Sequence, residues 1–313
     1  MLSKRLDGEI TKMQTEFLSS GASSIDHLLE GGFERGTLSS IHSDADIGKS
    51  WLAFQLAIMC NRPESDGGFD APALIVCTEG FYSEKVLNKF TGFFKKRWNL
   101  TDEDIHVDVL QLRNIEGLYN FFGLRPIIKI VGDKMQASVE AINTPIKDGK
   151  KIIGVLDHLE GSKVWEAIDE IGYQFIVVDS ISMPLKSRAF PSSLSWLSGR
   201  AAILTPFINT LNDLSIRKNI VVFTVHHLVK SDVRKQKSGW GHAWGGEIVK
   251  YVTKRMLLLM KPTKAEVEPF GKRSKRLHLY RLPGSEQKTI VVELAKDTGF
   301  VDIMPHGGRK TKG

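Results

Sequence analysis

Cysteine is nearly missing from this chain of 313 residues, which has two, Cys60 and Cys77. Both sit in apolar stretches, LAIMC and ALIVC, so the sequence predicts two buried thiols in a reduced compartment and argues against a disulfide or a cysteine-based metal site. No stretch approaches the roughly eighteen consecutive apolar residues that a membrane span needs. The first residues, MLSKRLDGEITKMQ, are charged and have no apolar core, which excludes a secretory leader. No internal repeat is visible. These absences predict a soluble cytoplasmic protein with no membrane partner.

Hydrophobic residues make up 42% and charged residues 25% of the chain, enough for a sizeable core. The length allows one large α/β domain with insertions, or two small domains. The formal net charge is +7 and the isoelectric point about 9.2. That balance permits a polyanionic partner, because lysine and arginine gain affinity by releasing counterions from phosphates. A solvated basic face accounts for the charge equally well.

Strands and helices alternate along the chain. Thr37–Ile41 reads as a strand, Lys49–Cys60 as an amphipathic helix and Ala73–Cys77 as a short buried strand. Ser83–Lys95 is a helix, Ile105–Leu110 a strand, Phe175–Asp179 a fully apolar strand, Ile203–Arg217 a helix and Ile220–Val225 another apolar strand. Continuous β-branched runs without alternation predict strands covered on both faces, the parallel sheet of a doubly wound α/β fold. After Gly246, Val249–Met260, Arg276–Leu282 and Thr289–Leu294 read as strands joined by turns, Pro283-Gly284 being one, so an antiparallel extension of the sheet is expected. Residues 1–16 form a polar arm, 17–306 the core and 307–313 a basic tail. Residues of about 123–160 read as an inserted helix with loops.

The chemistry begins at residues 43–50, SDADIGKS, between the first strand and the helix. A phosphate-cradling loop has the pattern G-x-x-x-x-G-K-[ST] in that strand-loop-helix setting. Gly48 would let the backbone approach phosphate oxygens, and the helix N-terminus aims N–H groups at them. Lys49 would reach the β- and γ-phosphates of ATP, and the Ser50 hydroxyl would ligate Mg²⁺. The candidate nucleotide contacts are Ser43, Asp46, Ile47, Gly48, Lys49, Ser50 and Trp51. Ser43 stands where the pattern has glycine, and Asp44 and Asp46 bring negative charge to an anion site. Asp179 ends an apolar strand, where the Mg²⁺-orienting carboxylate of such proteins sits. Glu79 ends the strand after the loop's helix, where a carboxylate can polarise the attacking water.

These motifs, in this order, resemble the RecA/RadA-type recombinases. Residues 19–36, SSGASSIDHLLEGGFERG, resemble the family's entrance to the core. Thr78-Glu79 resembles its catalytic "TE", Val178-Asp179-Ser180 its "VDS", and residues 223–227, FTVHH, its "VTNQV". Residues 243–246, AWGG, resemble the "P-x-GG" after its DNA-binding loop. The resemblance implies a RecA-like core, with Glu79, Lys49, Asp179 and His227 as catalytic residues. His227 would take the place of the glutamine that senses the γ-phosphate, and Tyr82 that of an arginine that stacks on adenine. It also implies ATP and Mg²⁺ as cofactors and single-stranded DNA as a partner. No F-x-x-A polymerisation motif lies in residues 1–16, and the loop at 43–50 is altered. Both departures point to a RadA paralogue or accessory factor, working beside a RadA-type recombinase and capable of oligomerising by other means.

The DNA-binding reading has support in the residues themselves. Between the last core strand and Gly246 lie Lys230, Arg234, Lys235, Lys237, Trp240 and Trp244. Single-strand binding needs this mixture, charge to follow the backbone and aromatic faces to stack bases. Lys186 and Arg188 occupy the place of the family's other DNA loop. The rival readings are a mobile surface loop or a tryptophan pair packing on a protein. For the whole chain the alternatives to a DNA-dependent ATPase are a non-hydrolysing recombination mediator and a KaiC-like signalling ATPase. Gly80 after Glu79 lacks the paired glutamates of the latter.

Overall fold

The computed structural model describes residues 17–80, 82–131, 134–142, 146–147, 150–151, 159–184, 197–228, 247–295 and 297–303. A nine-stranded sheet runs through them. Its parallel part consists of β3 (Thr37–Ser43), β4 (Ala73–Cys77), β5 (Val107–Gln111), β10 (Phe175–Asp179), β11 (Val221–His227) and β12 (Arg255–Met260). Their order is β5-β4-β10-β11-β3-β12, each parallel to its neighbour. Three antiparallel strands then extend the sheet: β13 (Ser274–Arg281), β14 (Thr289–Ala295) and β15 (Gly299–Asp302). The doubly wound parallel sheet with its antiparallel extension is the architecture the sequence predicts. Short two-stranded pairs stand apart: β1 (Phe17–Leu18) with β2 (Phe33–Glu34), β6 (Leu124–Val131) with β7 (Lys134–Ala141), and β8 (Ile146–Lys147) with β9 (Lys150–Lys151).

Helices cover both faces. On one side, α1 (Ser23–Leu28), α2 (Lys49–Asn61) and α3 (Glu84–Trp98) pack on Ile41, Ile75, Val177 and Phe223. On the other, α4 (Ile115–Phe121), α5 (Lys163–Ile171) and α6 (Leu197–Lys218) pack on Leu38, Val76, Val178 and Val222. Alternate residues of one strand thus enter different cores, which is why the strands show no polar face. The helix α2 is not the amphipathic helix expected. Nearly all its side chains are buried, because the sheet lies under it and α3 and β15 close its other sides. The helix α3 is the amphipathic one, burying Phe90 and Phe94 and ending in Lys95, Lys96 and Arg97, where cations favour the helix dipole.

Two further expectations are corrected. The stretch at about 123–160 contains no described helix before Lys163; it holds the β6–β7 hairpin instead. Ile127, Ile128, Ile130, Val131 and Val139 are β-branched, which suits strands, and the antiparallel register runs from Leu124 paired with Ala141 to Val131 paired with Lys134. The strand expected over Val249–Met260 is a short helix, α7 (Glu247–Val252), followed by β12. Ile248, Val249 and Val252 fall on one side of that helix, against the α6 side of the sheet. The Pro283-Gly284 turn is present, with Gly284 at φ +83° and the Ser285 N–H donating to the Leu282 carbonyl at 3.1 Å. A last helix, α8 (Lys264–Phe270), starts with a reciprocal Thr263–Glu266 capping box. Among the described residues no helix is long and apolar enough to cross a membrane.

Candidate nucleotide site

Parallel strands end on the same side, so register decides what meets there. His227 pairs with Ser43, and Cys77 with Asp179, which brings the ends of β3, β4, β10 and β11 to one rim. The cleft they enclose has a volume of about 300 Å³, with Asp46, Gly48, Lys49, Ser50, Trp51, Glu79, Asp179 and His227 among its lining. That is at the small end of roughly 300–1,000 Å³ for ligand sites, room for phosphates more than for a whole nucleotide.

The loop at 43–50 is closed on its own lysine. The Lys49 ammonium donates to Ser43 Oγ at 2.9 Å and the Asp44 carbonyl at 2.7 Å, and lies 3.4 Å from the Ser43 carbonyl. Ser43 Oγ in turn donates to the Asp44 carbonyl at 2.7 Å. The serine at the glycine position therefore contributes a ligand to the lysine. The Asp44 and Asp46 side chains are exposed. In water-like surroundings a charge pair about 4 Å apart costs only about 1 kcal/mol, so these two carboxylates burden an anion modestly. Gly48 begins α2 at φ +123°, and a Cβ there would lie 2.6 Å from Leu294 Cδ2. Only glycine lets β14 close over the loop at that point.

Two carboxylates face the cleft, and their surroundings shift them in opposite directions. Glu79 Oε1 accepts from His227 Nε2 at 2.8 Å and from the Ser180 hydroxyl. Burial acts to raise its pKa, but these two hydrogen bonds, with the charges of His227 and Lys49, outweigh burial and hold it below the usual glutamate value. Asp179 is fully enclosed. Burial, with the charge of Glu79, raises its pKa against the hydrogen bonds of Ser50 and Tyr82 and the charge of Lys49. Thr78 ties the two strands together, its hydroxyl donating to the Ser180 carbonyl at 2.7 Å and accepting from the Ser180 N–H at 2.9 Å.

Below this rim lies a polar layer that the sequence did not announce. His42 and His226, paired across β3 and β11, stack with ring centroids 4.5 Å apart. Both are buried, and each Nε2 meets a hydroxyl two residues earlier on its own strand, Ser40 Oγ for His42 and Thr224 Oγ1 for His226, at 2.9 Å. Burial, then the charges of His226 and Lys49, push the His42 pKa well down, so its ring is neutral.

The structure thus brings Lys49, Ser50, Glu79, Asp179 and His227 together, with Asp46, Gly48 and Trp51 on the same cleft and Ser43 behind Lys49. Ile47 is buried in the core instead. Tyr82 is a correction. Its ring is 1% exposed and packs on Phe54, so it offers no face to a base; its hydroxyl meets Asp179. Lys186, Arg188, Lys230, Arg234, Lys235, Lys237, Trp240 and Trp244 lie outside the described residues. Ser180 was marked in the sequence only as the end of the "VDS" resemblance, with no part in the site, and its bond to Glu79 is new; Gln55 had no motif to mark it.

These donors fit a nucleoside triphosphate with a divalent cation. Lys49 and the N-terminus of α2 could hold phosphate oxygens, and Ser50 with Asp179 could hold the cation. Among the described residues no cluster of three or more histidine, cysteine or acidic side chains forms a metal cage. One or two protein oxygens completed by phosphates is how magnesium is usually held.

The fold is that of a RecA-like core. Comparison with known proteins agrees. The family model described as Rad51 matches residues 11–141. The DNA repair protein RAD51 homolog of Solanum lycopersicum is 28% identical over 96 residues, 31% of this chain and 27% of that protein. The DNA repair protein rhp57 of Schizosaccharomyces pombe is 29% identical over 93 residues, 30% and 26% of the two chains. The DNA repair and recombination protein RadA of Aeropyrum pernix is 32% identical over 76 residues, 24% of each. These matches, all within part of the chain, support its place in the RecA/RadA-type recombinase superfamily. The aligned part spans about a quarter of the length of these curated relatives.

Proposed function

We propose that this chain is an ATP-binding, DNA-dependent ATPase of DNA repair and homologous recombination, acting as a RadA paralogue on single-stranded DNA. One observation carries the reading: Lys49, Ser50, Glu79, Asp179 and His227, from four separate strand ends, converge on one cleft. In that arrangement Lys49 binds the phosphates, and Ser50 and Asp179 orient a divalent cation, which supplies charge stabilisation at the phosphates when bound. Glu79, a carboxylate held toward the cleft by His227 and Ser180, accepts the proton of the attacking water. His227 is bonded to Glu79, so a phosphate that engages His227 alters the base at the same time. The relatives named above are DNA repair proteins, which supports the biological setting.

The test is ATP turnover with and without single-stranded DNA. Turnover that DNA stimulates is the expected result; turnover indifferent to DNA removes the DNA-dependent part. Replacing Lys235 and Lys237 with alanine is expected to flatten the salt dependence of DNA binding by about one unit of slope per lost contact. Replacing Trp240 and Trp244 is expected to cost about 1–3 kcal/mol per stacked base at unchanged slope.

A second reading, a mediator that binds partners and DNA without hydrolysis, is favoured by the lysine. Its ammonium is already satisfied by three oxygens of its own loop. Absence of turnover under every DNA condition selects this reading.

A further inference from the structure

Tyr82 was expected to face a nucleotide base, and its placement gives it a different task. The residue follows β4 by a short link and precedes α3. Its ring lies on Phe54 of α2 at 6.2 Å between centroids, and its backbone carbonyl is 3.4 Å from Gln111 Nε2 at the end of β5. The hydroxyl donates to Asp179 Oδ2 at 2.9 Å and lies 3.3 Å from the Ser50 carbonyl. One buried oxygen therefore stands between the loop's helix and the carboxylate at the end of β10. A carboxylate oxygen can only accept, so the phenol hydroxyl is the donor and the direction of the bond is fixed.

We propose that Tyr82 is a positioning residue, whose hydroxyl holds the Asp179 carboxylate beside Ser50 in the orientation that receives a divalent cation. The proposal rests on the reading that Ser50 and Asp179 serve such a cation. A carboxylate with one oxygen pinned cannot turn about its Cβ–Cγ bond, so its remaining lone pairs keep their aim into the cleft. Outer partners of this kind typically alter metal affinity by about 10–100-fold when removed. A base-stacking role would require an exposed ring face, and the ring has none.

Tyr82→Phe removes the hydroxyl and keeps the ring. Binding of a fluorescent ATP analogue is measured against Mg²⁺ concentration and in EDTA, and binding of Mn²⁺ to the protein alone by electron paramagnetic resonance. The Mg²⁺ needed for half-maximal nucleotide binding is expected to rise about 10-fold or more, with binding in EDTA unchanged. In an Asp179→Asn background the same substitution is expected to add almost nothing, because it acts through the carboxylate.

An unchanged Mg²⁺ requirement overturns the proposal. So does an equal loss in EDTA, which indicates a general structural role, or a full additional loss in the Asp179→Asn background. If the parent protein binds no nucleotide, the proposed function fails separately, and Mn²⁺ alone decides about Tyr82. Weaker Mn²⁺ binding by Tyr82→Phe then sustains the role; equal binding, or none by the parent, overturns it. Should Tyr82→Phe not fold, biosynthetic replacement of the tyrosines by 3-fluorotyrosine supplies a stronger donor of similar shape. An unshifted cation affinity there also counts against the proposal.

Discussion

The two halves of the nine-stranded sheet end in different ways. In the parallel half, every strand delivers its C-terminal end to one rim, and four of those ends carry Ser43, Glu79, Asp179 and His227. The antiparallel half sends β14 and β15 to the same region, but with packing groups. Leu294 closes over Gly48, and Phe300 is fixed through its backbone. Gln55 of α2 donates to the Ser20 and Phe300 carbonyls at 2.6 and 3.0 Å and accepts from the Phe300 N–H at 2.7 Å. Arg97 of α3 reaches the Thr298, Phe300 and Gly21 carbonyls. Asp302 receives the Ser23 and Ser24 N–H groups at the start of α1. One half of the sheet thus presents reactive groups, and the other clamps the helix that presents the loop. Substitutions at the rim are expected to change ligand binding and turnover with little effect on stability, and substitutions in the clamp to do the reverse.

The largest effect belongs to Lys49→Ala. Loss of the ammonium is expected to abolish binding of a fluorescent ATP analogue while thermal stability is retained; equal affinity in variant and parent removes the site assignment. Next comes Glu79→Gln, which keeps the shape and removes the base. Nucleotide binding is expected to persist while turnover falls by roughly 10²-fold or more. From the clamp, Gln55→Ala leaves the buried Phe300 N–H and Ser20 carbonyl without their partner, at about 1–3 kcal/mol per group. Denaturant unfolding is expected to show a loss of that order, with nucleotide affinity within about twofold if the halves act independently. A large loss of affinity in Gln55→Ala breaks the comparison and makes the clamp part of the site.

How much of the molecule was legible depends on the range of the interactions. The strands Ala73–Cys77 and Phe175–Asp179 were readable residue for residue, because a run of β-branched residues ending at a turn is a local signal. The positions of Lys49, Ser50 and Asp179 were readable for the same reason, since each is fixed by the junction of one strand with the next stretch of chain. Tyr82 was misread because its partner, Asp179, is 97 positions away and depends on the β4–β10 pairing. The bond between Glu79 and His227 spans 148 positions, and Gln55 to Phe300 spans 245, and neither leaves a trace in spacing. The β6–β7 hairpin and the helix α7 were missed where short apolar runs suit either periodicity.

The smallest effect expected concerns the layer beneath the rim, and it tests whether that layer is structural. His42 is buried and neutral, its pKa well below the ordinary 6.5, with the stacked His226 on one side and the charge of Lys49 nearby. In the unfolded chain the same imidazole titrates near 6.5. Below that pH the unfolded state binds a proton that the folded state refuses, so stability falls as pH falls from 6.5 toward the lowered value. Above 6.5 the group contributes no slope. One such group gives at most about 1.4 kcal/mol per pH unit within the window. His42→Phe keeps a ring against His226 and removes the titration. Its unfolding free energy between pH 6.5 and 5 is expected to decline less steeply than that of the parent by up to that amount, and the two slopes should coincide above pH 7. Equal slopes throughout would mean that His42 takes up a proton in the folded state, and that the ring stack beneath Lys49 tolerates a positive charge.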